Sequence, residues 1–266
     1  MEMKESRGEQ ADRLAGKVAL VTGASRGLGR IIALAYAAEG AHLALAARSE
    51  AELEQVRREV MACGVRCVAQ VTDVTQPEQV RQMVRLAESE LGPIDILVNN
   101  AGILGPLGLL PEIPLEEWEQ TLAVNLTGPF LLAREVLPSM MERRQGNILN
   151  ISSGAGFRQP FSPDLWVRSL PYNVSKGGLE LLTQALAVQV YPYGICVNAL
   201  APGKLKTDIQ NGSSPEWMAS LQPAELVAEP AVFLARQTVQ SLTGCTLSGP
   251  EWLSSNGKSG FLFANL

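Results

Sequence analysis

Short apolar runs alternate with longer amphipathic ones along most of the chain. The runs at 17–23 (KVALVTG), 42–48 (HLALAAR), 66–73 (RCVAQVTD), 94–102 (IDILVNNAG), 146–153 (GNILNISS), 195–203 (ICVNALAPG) and 243–249 (TGCTLSG) read as strands. Between them, stretches such as 49–62 (SEAELEQVRREVMA) and 77–92 (PEQVRQMVRLAESELG) place charges on one side and Leu, Val or Met on the other, as helices do. Strands that are apolar throughout need cover on both faces. Their alternation with helices predicts an α/β fold with a doubly wound parallel sheet of about seven strands, joined by right-handed crossovers. No repeat, low-complexity tract or linker interrupts the pattern, so one domain is expected over 14–266, after a charged tail at 1–13.

The stretch from Leu181 to Gly203 has no charged residue and is long enough to span a bilayer. It also holds Gln184, Gln189, Pro192, Gly194 and Asn198, which fit a buried helix, a turn and a buried strand better. With 46% hydrophobic and 18% charged residues, the chain can fill a single core. A formal charge of -5 argues against a nucleic-acid partner, which needs clustered Lys and Arg. The first 17 residues show no apolar run, so a cytoplasmic protein is expected, with no membrane partner.

Metal chemistry finds little material. Cys63 and Cys67 flank Gly64 without a histidine nearby, and Cys196 and Cys245 stand apart, so buried free thiols are expected and no metal. The only histidine, His42, enters an apolar strand and reads as structural rather than as a hydrolase base.

A doubly wound sheet binds ligands at the carboxyl ends of its strands, where the strand order reverses. The first strand runs into TGASRGLG (22–29) and then a helix. There Gly23 permits a tight turn, while Gly27 and Gly29 let backbone approach a pyrophosphate at the helix N-terminus. At 172–176 the sequence YNVSK puts Tyr172 and Lys176 one turn apart on one helix face. An ammonium so placed favours the phenolate, as a tyrosine exchanging protons near neutral pH requires. Ser152 and Ser153 are both candidates for the hydroxyl that fixes a substrate oxygen, and they point opposite ways in a strand.

Taken with the spacing Gly-x-x-x-Gly-x-Gly after Thr22, these features resemble the short-chain dehydrogenase/reductase family in its classical branch. The resemblance extends through VTDV (71–74), NNAG (99–102), VNLTGPFLL (124–132), NISS (150–153) and PGKLKT (202–207). It implies a Rossmann-type fold and a catalytic set of Asn125, Ser153, Tyr172 and Lys176. Asn125 would link a water to Lys176, which also holds the nicotinamide ribose. The dinucleotide site it implies comprises Gly23, Ser25, Arg26, Gly27, Leu28, Gly29, Arg48, Ser49, Asp73, Val74, Asn100, Ala101, Gly102, Tyr172, Lys176, Pro202, Gly203, Leu205 and Thr207. Asp73 would contact adenine, and the turn at 202–207 would lie beside the nicotinamide. Ala47 stands where relatives that prefer NAD carry Asp, and Arg48, Ser49 and Arg26 can hold a 2′-phosphate, so NADP(H) is expected over NAD(H).

The expected activity is hydride transfer between this cofactor and a small-molecule carbonyl or secondary alcohol. Two alternatives stay open: reduction of 3-oxoacyl thioesters on an acyl carrier protein, and a non-catalytic NADP(H) sensor. Arg144 matches one basic position of the former, but Tyr193 stands where a second is often found. Ser153 and Tyr172 are 19 positions apart, longer than usual in the family, with a substrate loop expected around 154–171 and another around 205–223. The first carries Phe157, Phe161 and Trp166 with Arg158 and Arg168. The family usually forms dimers or tetramers, so a homo-oligomer is expected, tetramer more than dimer, with apolar Phe261, Leu262 and Phe263 docking on a neighbouring subunit.

Overall fold

The computed structural model describes residues 12–154, 170–207 and 219–263. All seven expected strands form: β1 (Val18–Thr22), β2 (His42–Ala47), β3 (Cys67–Val71), β4 (Ile96–Asn99), β5 (Gly146–Ile151), β6 (Ile195–Ala201) and β7 (Thr246–Ser248). They lie parallel in the order β3-β2-β1-β4-β5-β6-β7. An eighth strand, β8 (Phe261–Phe263), adds to β7 in antiparallel sense. The segment expected to dock on another subunit thus has its backbone committed within the protomer, because β7 offers it an unpaired edge.

Eight helices are described: α1 (Gly27–Ala38), α2 (Glu50–Met61), α3 (Pro77–Leu91), α4 (Leu115–Leu122), α5 (Gly128–Arg143), α6 (Leu170–Val190), α7 (Ala228–Ala235) and α8 (Gly249–Ser254). Every residue of β1 is buried, and successive ones face opposite layers. Ala19 and Val21 pack with Ile32 and Tyr36 of α1, Leu53 and Val56 of α2, and Ala231 of α7. Val18 and Leu20 pack with Met83 of α3, Leu132 and Met140 of α5, and Ala187 of α6. This two-sided burial is why the strands read as unbroken apolar runs.

Polar contacts tie the layers. Tyr36, fully buried, donates its hydroxyl to the Ala231 carbonyl at 3.0 Å. Arg13 forks between Glu39 at the end of α1 and Glu229 of α7, each contact 2.6 Å long. His42 is structural here, its Nδ1 accepting the Arg66 N–H at 3.2 Å. All four cysteines are free. Among the described residues no helix is long and apolar enough to cross a membrane. The sequences at 155–169 and 208–218, with most of both expected substrate loops, lie outside the described residues.

Candidate active site

The strand order reverses between β1 and β4, and the side chain of Thr22 clamps that junction. Its buried hydroxyl donates to the Val98 carbonyl at 3.2 Å and accepts the backbone N–H groups of Asn100 (3.0 Å) and Ala101 (3.1 Å). The Asn100 amide reaches back to the carbonyls of Thr22 (2.8 Å) and Gly23 (3.2 Å). The glycine loop after β1 and the turn after β4 are therefore one unit. Gly29 is required by this closeness, since a Cβ there would stand 2.2 Å from the Gly23 carbonyl oxygen. Gly27 differs: its φ of +53° favours glycine, and a Cβ would meet nothing within 4 Å. The space beside it opens to a cleft at the start of α1, whose N-cap residue Arg26 provides no side-chain cap. First-turn amides left this way favour an anion.

The cleft encloses about 720 Å³ and runs along the carboxyl ends of β1 to β6. Of the expected cofactor residues, Gly23, Ser25, Arg26, Gly27, Leu28, Arg48, Ser49, Asp73, Val74, Asn100, Ala101, Gly102, Pro202, Gly203, Leu205 and Thr207 line it. Gly29 lies beneath, packed under the loop. Ala47, Arg48 and Ser49 at the β2 end share the wall with Arg26 of the glycine loop and Glu52 of α2. Asp73 is shaped by its own turn, where Oδ1 accepts the backbone N–H (2.9 Å) and hydroxyl (2.8 Å) of Thr75. Residues fit for a phosphate, a ribose and a ring thus follow one another along the wall.

At the β5 end, Ser153, Tyr172 and Lys176 converge on the cleft. Tyr172 hydrogen-bonds Ser153. The Lys176 ammonium sits 5.7 Å from the centre of the Tyr172 ring and donates to the Ile151 carbonyl at 2.7 Å. Burial pushes the Tyr172 phenol above its ordinary pKa, and the Ser153 bond opposes this. The net direction for the phenol is upward, set by burial rather than by a neighbouring charge. Burial also brings Lys176 from 10.5 to about 8, against the opposing pull of Glu180. A lysine that titrates there retains its charge at neutral pH while giving up a proton easily.

Asn125 is not on the cleft wall. Fully buried, it belongs to a π-helical turn, Ala123–Thr127, between α4 and α5. Its Oδ1 accepts the Ile103 N–H (2.9 Å), and its amide donates to the Ile103 carbonyl (2.9 Å) and to Ser175 Oγ (3.0 Å). Ser175 in turn donates to the Tyr172 carbonyl at 2.7 Å. This side chain braces the loop after β4 against the helix that carries the tyrosine. The neighbouring face of that helix is anchored by a buried relay in which Asn99 donates to Asn150 (2.8 Å) and Asn150 to Thr183 (2.8 Å).

Sequence reasoning did not select Ile103, Leu104, Leu107, Val124 or Ile151 for the wall. Apolar residues carry no chemical signature, and only their place marks them: Ile103, Leu104 and Leu107 after β4, Val124 in the π-helical turn and Ile151 at the end of β5. Arg144 stands two residues before β5, at the end of the strand opposite Ser153, and donates to the Pro192 carbonyl. In the protomer it does not flank the cleft.

Residues 17–217 match the family model described as short chain dehydrogenase. The chain is 42% identical over 196 residues to a glycine betaine reductase of Emericella nidulans, covering 74% of this chain and 15% of that much longer protein. It is 32% identical to a 5-keto-D-gluconate 5-reductase of Escherichia coli, over 87% of this chain and 92% of the relative. Among solved structures, a xylitol dehydrogenase with NAD+ bound superposes with a TM-score of 0.79 at 30% identity, over 88% and 97% of the two chains. An actinorhodin polyketide ketoreductase with NADPH gives the same TM-score and identity, over 90% and 97%.

Proposed function

The chain belongs to the short-chain dehydrogenase family, and on that premise we propose that this oxidoreductase uses NADP(H) to interconvert a small carbonyl compound and its secondary alcohol. The observation that carries the reading is the meeting of Ser153, Tyr172 and Lys176 at one end of a cleft whose other end is built for a phosphate-bearing nucleotide. Gly23, Ser25, Gly27 and Leu28 take the pyrophosphate, the segment after β4 and the turn at Pro202–Thr207 take the nicotinamide, and Asp73 and Val74 take the adenine. When bound, the dinucleotide supplies or accepts the hydride.

The chain's own groups handle the proton and the geometry. Ser153 donates a hydrogen bond to the carbonyl oxygen and holds it beside the Tyr172 hydroxyl. Tyr172 gives its proton to that oxygen as negative charge develops there, and takes it back in the reverse direction. The Lys176 ammonium stabilises the phenolate so formed and hydrogen-bonds the nicotinamide ribose. Asn125 keeps Tyr172 in place through Ser175. Fixing both reactants in line supplies much of the acceleration.

Cofactor choice rests on the β2 end of the cleft. Ala47, the last residue of β2, supplies no carboxylate to repel a 2′-phosphate, and Arg48 and Arg26 offer two guanidinium groups against the single carboxylate of Glu52 on the same wall. The solved relatives include one with NAD+ and one with NADPH. Oligomerisation is supported by Val174, Leu181 and Val188, an exposed apolar line at seven-residue spacing on α6, joined by Phe130 of α5. A second copy of the chain fits that line, in a tetramer more than a dimer. Four free thiols fit a reducing compartment such as the cytoplasm.

The test is loss of NADPH absorbance with a panel of ketones, aldehydes, diketones, quinones and 3-oxoacyl thioesters. We expect turnover of at least one carbonyl class, tighter binding of NADPH than NADH, and near-complete loss of turnover in Tyr172→Phe with NADPH binding retained. Substantial reduction by that variant contradicts the assignment of Tyr172; equal affinity for both nucleotides contradicts the role of the two arginines.

A further inference from the structure

The helix that carries Tyr172 and Lys176 presents a third ionisable group one turn further on. Glu180 follows at the same four-residue spacing, so the three side chains share one face of α6. Lys176 and Glu180 are both buried, with 4% and 3% of their surface exposed. On β7, Thr246 donates its hydroxyl to Glu180 Oε2. The other carboxylate oxygen, Oε1, has no hydrogen-bond partner, and neither has Ser152 Oγ, although Ser152 faces the carboxylate closely enough to favour its charged form. Ser152 and Ser153 both line the cleft, Ser152 lying against the Glu180 carboxylate and Ser153 against the Tyr172 phenol. The two residues after β5 thus serve different members of one column, Ser153 the phenol and Ser152 the carboxylate.

A leucine at this place would fill the same space without the cost of desolvating a charge. The carboxylate can be accommodated because Lys176 lies one turn away, and the dependence runs both ways. Among the described residues, Lys176 is the one charged group that acts on Glu180, and Glu180 the one that acts on Lys176. Each opposes the effect of burial on the other. The remaining groups facing Glu180, Ser152 and Thr246, are uncharged hydroxyls.

We propose that Glu180 is the positioning residue that keeps the proton on Lys176, and that through Lys176 it sets the upper pH at which Tyr172 can work. Its carboxylate supplies a fixed negative potential beneath the ammonium, beyond the reach of substrate and cofactor. The part that concerns Tyr172 rests on the oxidoreductase reading above; the coupling of the two charges does not. A merely structural Glu180, gluing α6 to β7 through Thr246, leaves the titration of Lys176 where it is.

Lysine labelled with 13C at Cε reports that titration directly, the Lys176 resonance being identified by its disappearance in Lys176→Met. In the parent protein its midpoint is expected near 8. In Glu180→Gln, which preserves shape and an acceptor for Thr246, the midpoint is expected to fall by about one pH unit, the size of a single charge removed at one helical turn in a partly screened interior. Glu180→Asp retains the charge and should restore most of the parent midpoint. In turnover, the alkaline limb of kcat/KM should move acidward by the same amount, while rates at pH 6 stay within about threefold. Lys176→Met gives the reciprocal reading without altering Glu180: the carboxyl resonance of Glu180 should titrate at higher pH than in the parent. Unmoved midpoints in Glu180→Gln, or in Lys176→Met should the first variant not fold, overturn the inference. A parent protein that turns over no carbonyl refutes the proposed function instead, and the resonance titrations still decide whether the two charges are coupled.

Discussion

Replacing Thr22 with valine tests whether the junction of β1 and β4 is held by one hydroxyl. Valine has nearly the same shape, so packing is preserved and only the oxygen is lost. That oxygen serves one carbonyl and two backbone N–H groups, those of Asn100 and Ala101, at 3.0 and 3.1 Å. Each orphaned donor costs about 1–3 kcal/mol where water is excluded. Both residues are only partly enclosed, which favours the lower end. The sum is about 2–3 kcal/mol. For a chain of this size, 1 kcal/mol shifts the unfolding midpoint by roughly 2–4 °C, so Thr22→Val should lower Tm by about 5–10 °C. Thr22→Ser, which retains the oxygen, should lose less than half as much. NADPH affinity, followed by fluorescence, should fall with the valine variant, because Asn100, Ala101 and Gly102 would lose their fixed relation to the glycine loop. A valine variant that melts within 1 °C of the parent and binds NADPH equally well would refute the reasoning.

Gly29→Ala should cost more stability and more NADPH affinity than Gly27→Ala, since the first forces Cβ against the Gly23 carbonyl and the second meets only an unfavourable φ; thermal melts showing the reverse order defeat this account. Lys176 is buried with its pKa lowered from 10.5 to about 8, so the sign of its linkage is fixed. Below about pH 8 native and unfolded states both carry the proton; between about 8 and 10 only the unfolded state does, and the penalty for burying the charge is relieved. The stability of the parent relative to Lys176→Met should therefore rise by up to about 1.4 kcal/mol per pH unit across that window in denaturant titrations, and a flat difference refutes it. A thiol reagent at pH 8 should modify one of the four cysteines quickly, the exposed Cys63, whereas burial holds Cys67 and Cys196 up at about 12 and encloses Cys245. Peptide mapping that finds Cys196 labelled first would contradict the burial.

Much of the frame was legible in the sequence because strands covered on both faces leave an unambiguous trace. The runs at 17–23, 42–48 and 195–203 are apolar on both faces through most of their length, and each forms a parallel strand. β8 escaped because three apolar residues near a chain end carry no periodicity, and what orders them is the free edge of β7, a tertiary fact. Asn125 was marked by its motif, but the sequence could not say that Ile103 supplies both its acceptor and its donor. For Tyr172, spacing identified the ammonium nearby; it gave no measure of burial, which dominates the phenol. Glu180 passed as an ordinary helix residue, since only the packed structure reveals that its turn of α6 faces β7.

The Arg13 fork joins positions 216 residues apart, with Glu39 as the near partner and Glu229 as the far one. Ribosomal synthesis delivers these groups in order, and at about 5–20 residues per second the wait for Glu229 is roughly 10–40 s. During that interval the nascent β1–α1–β2 unit must stand with its guanidinium anchored at one end only. The far carboxylate closes a clasp late, after most of the chain has emerged, so its contribution falls on how long the finished protein lasts more than on how quickly it is made.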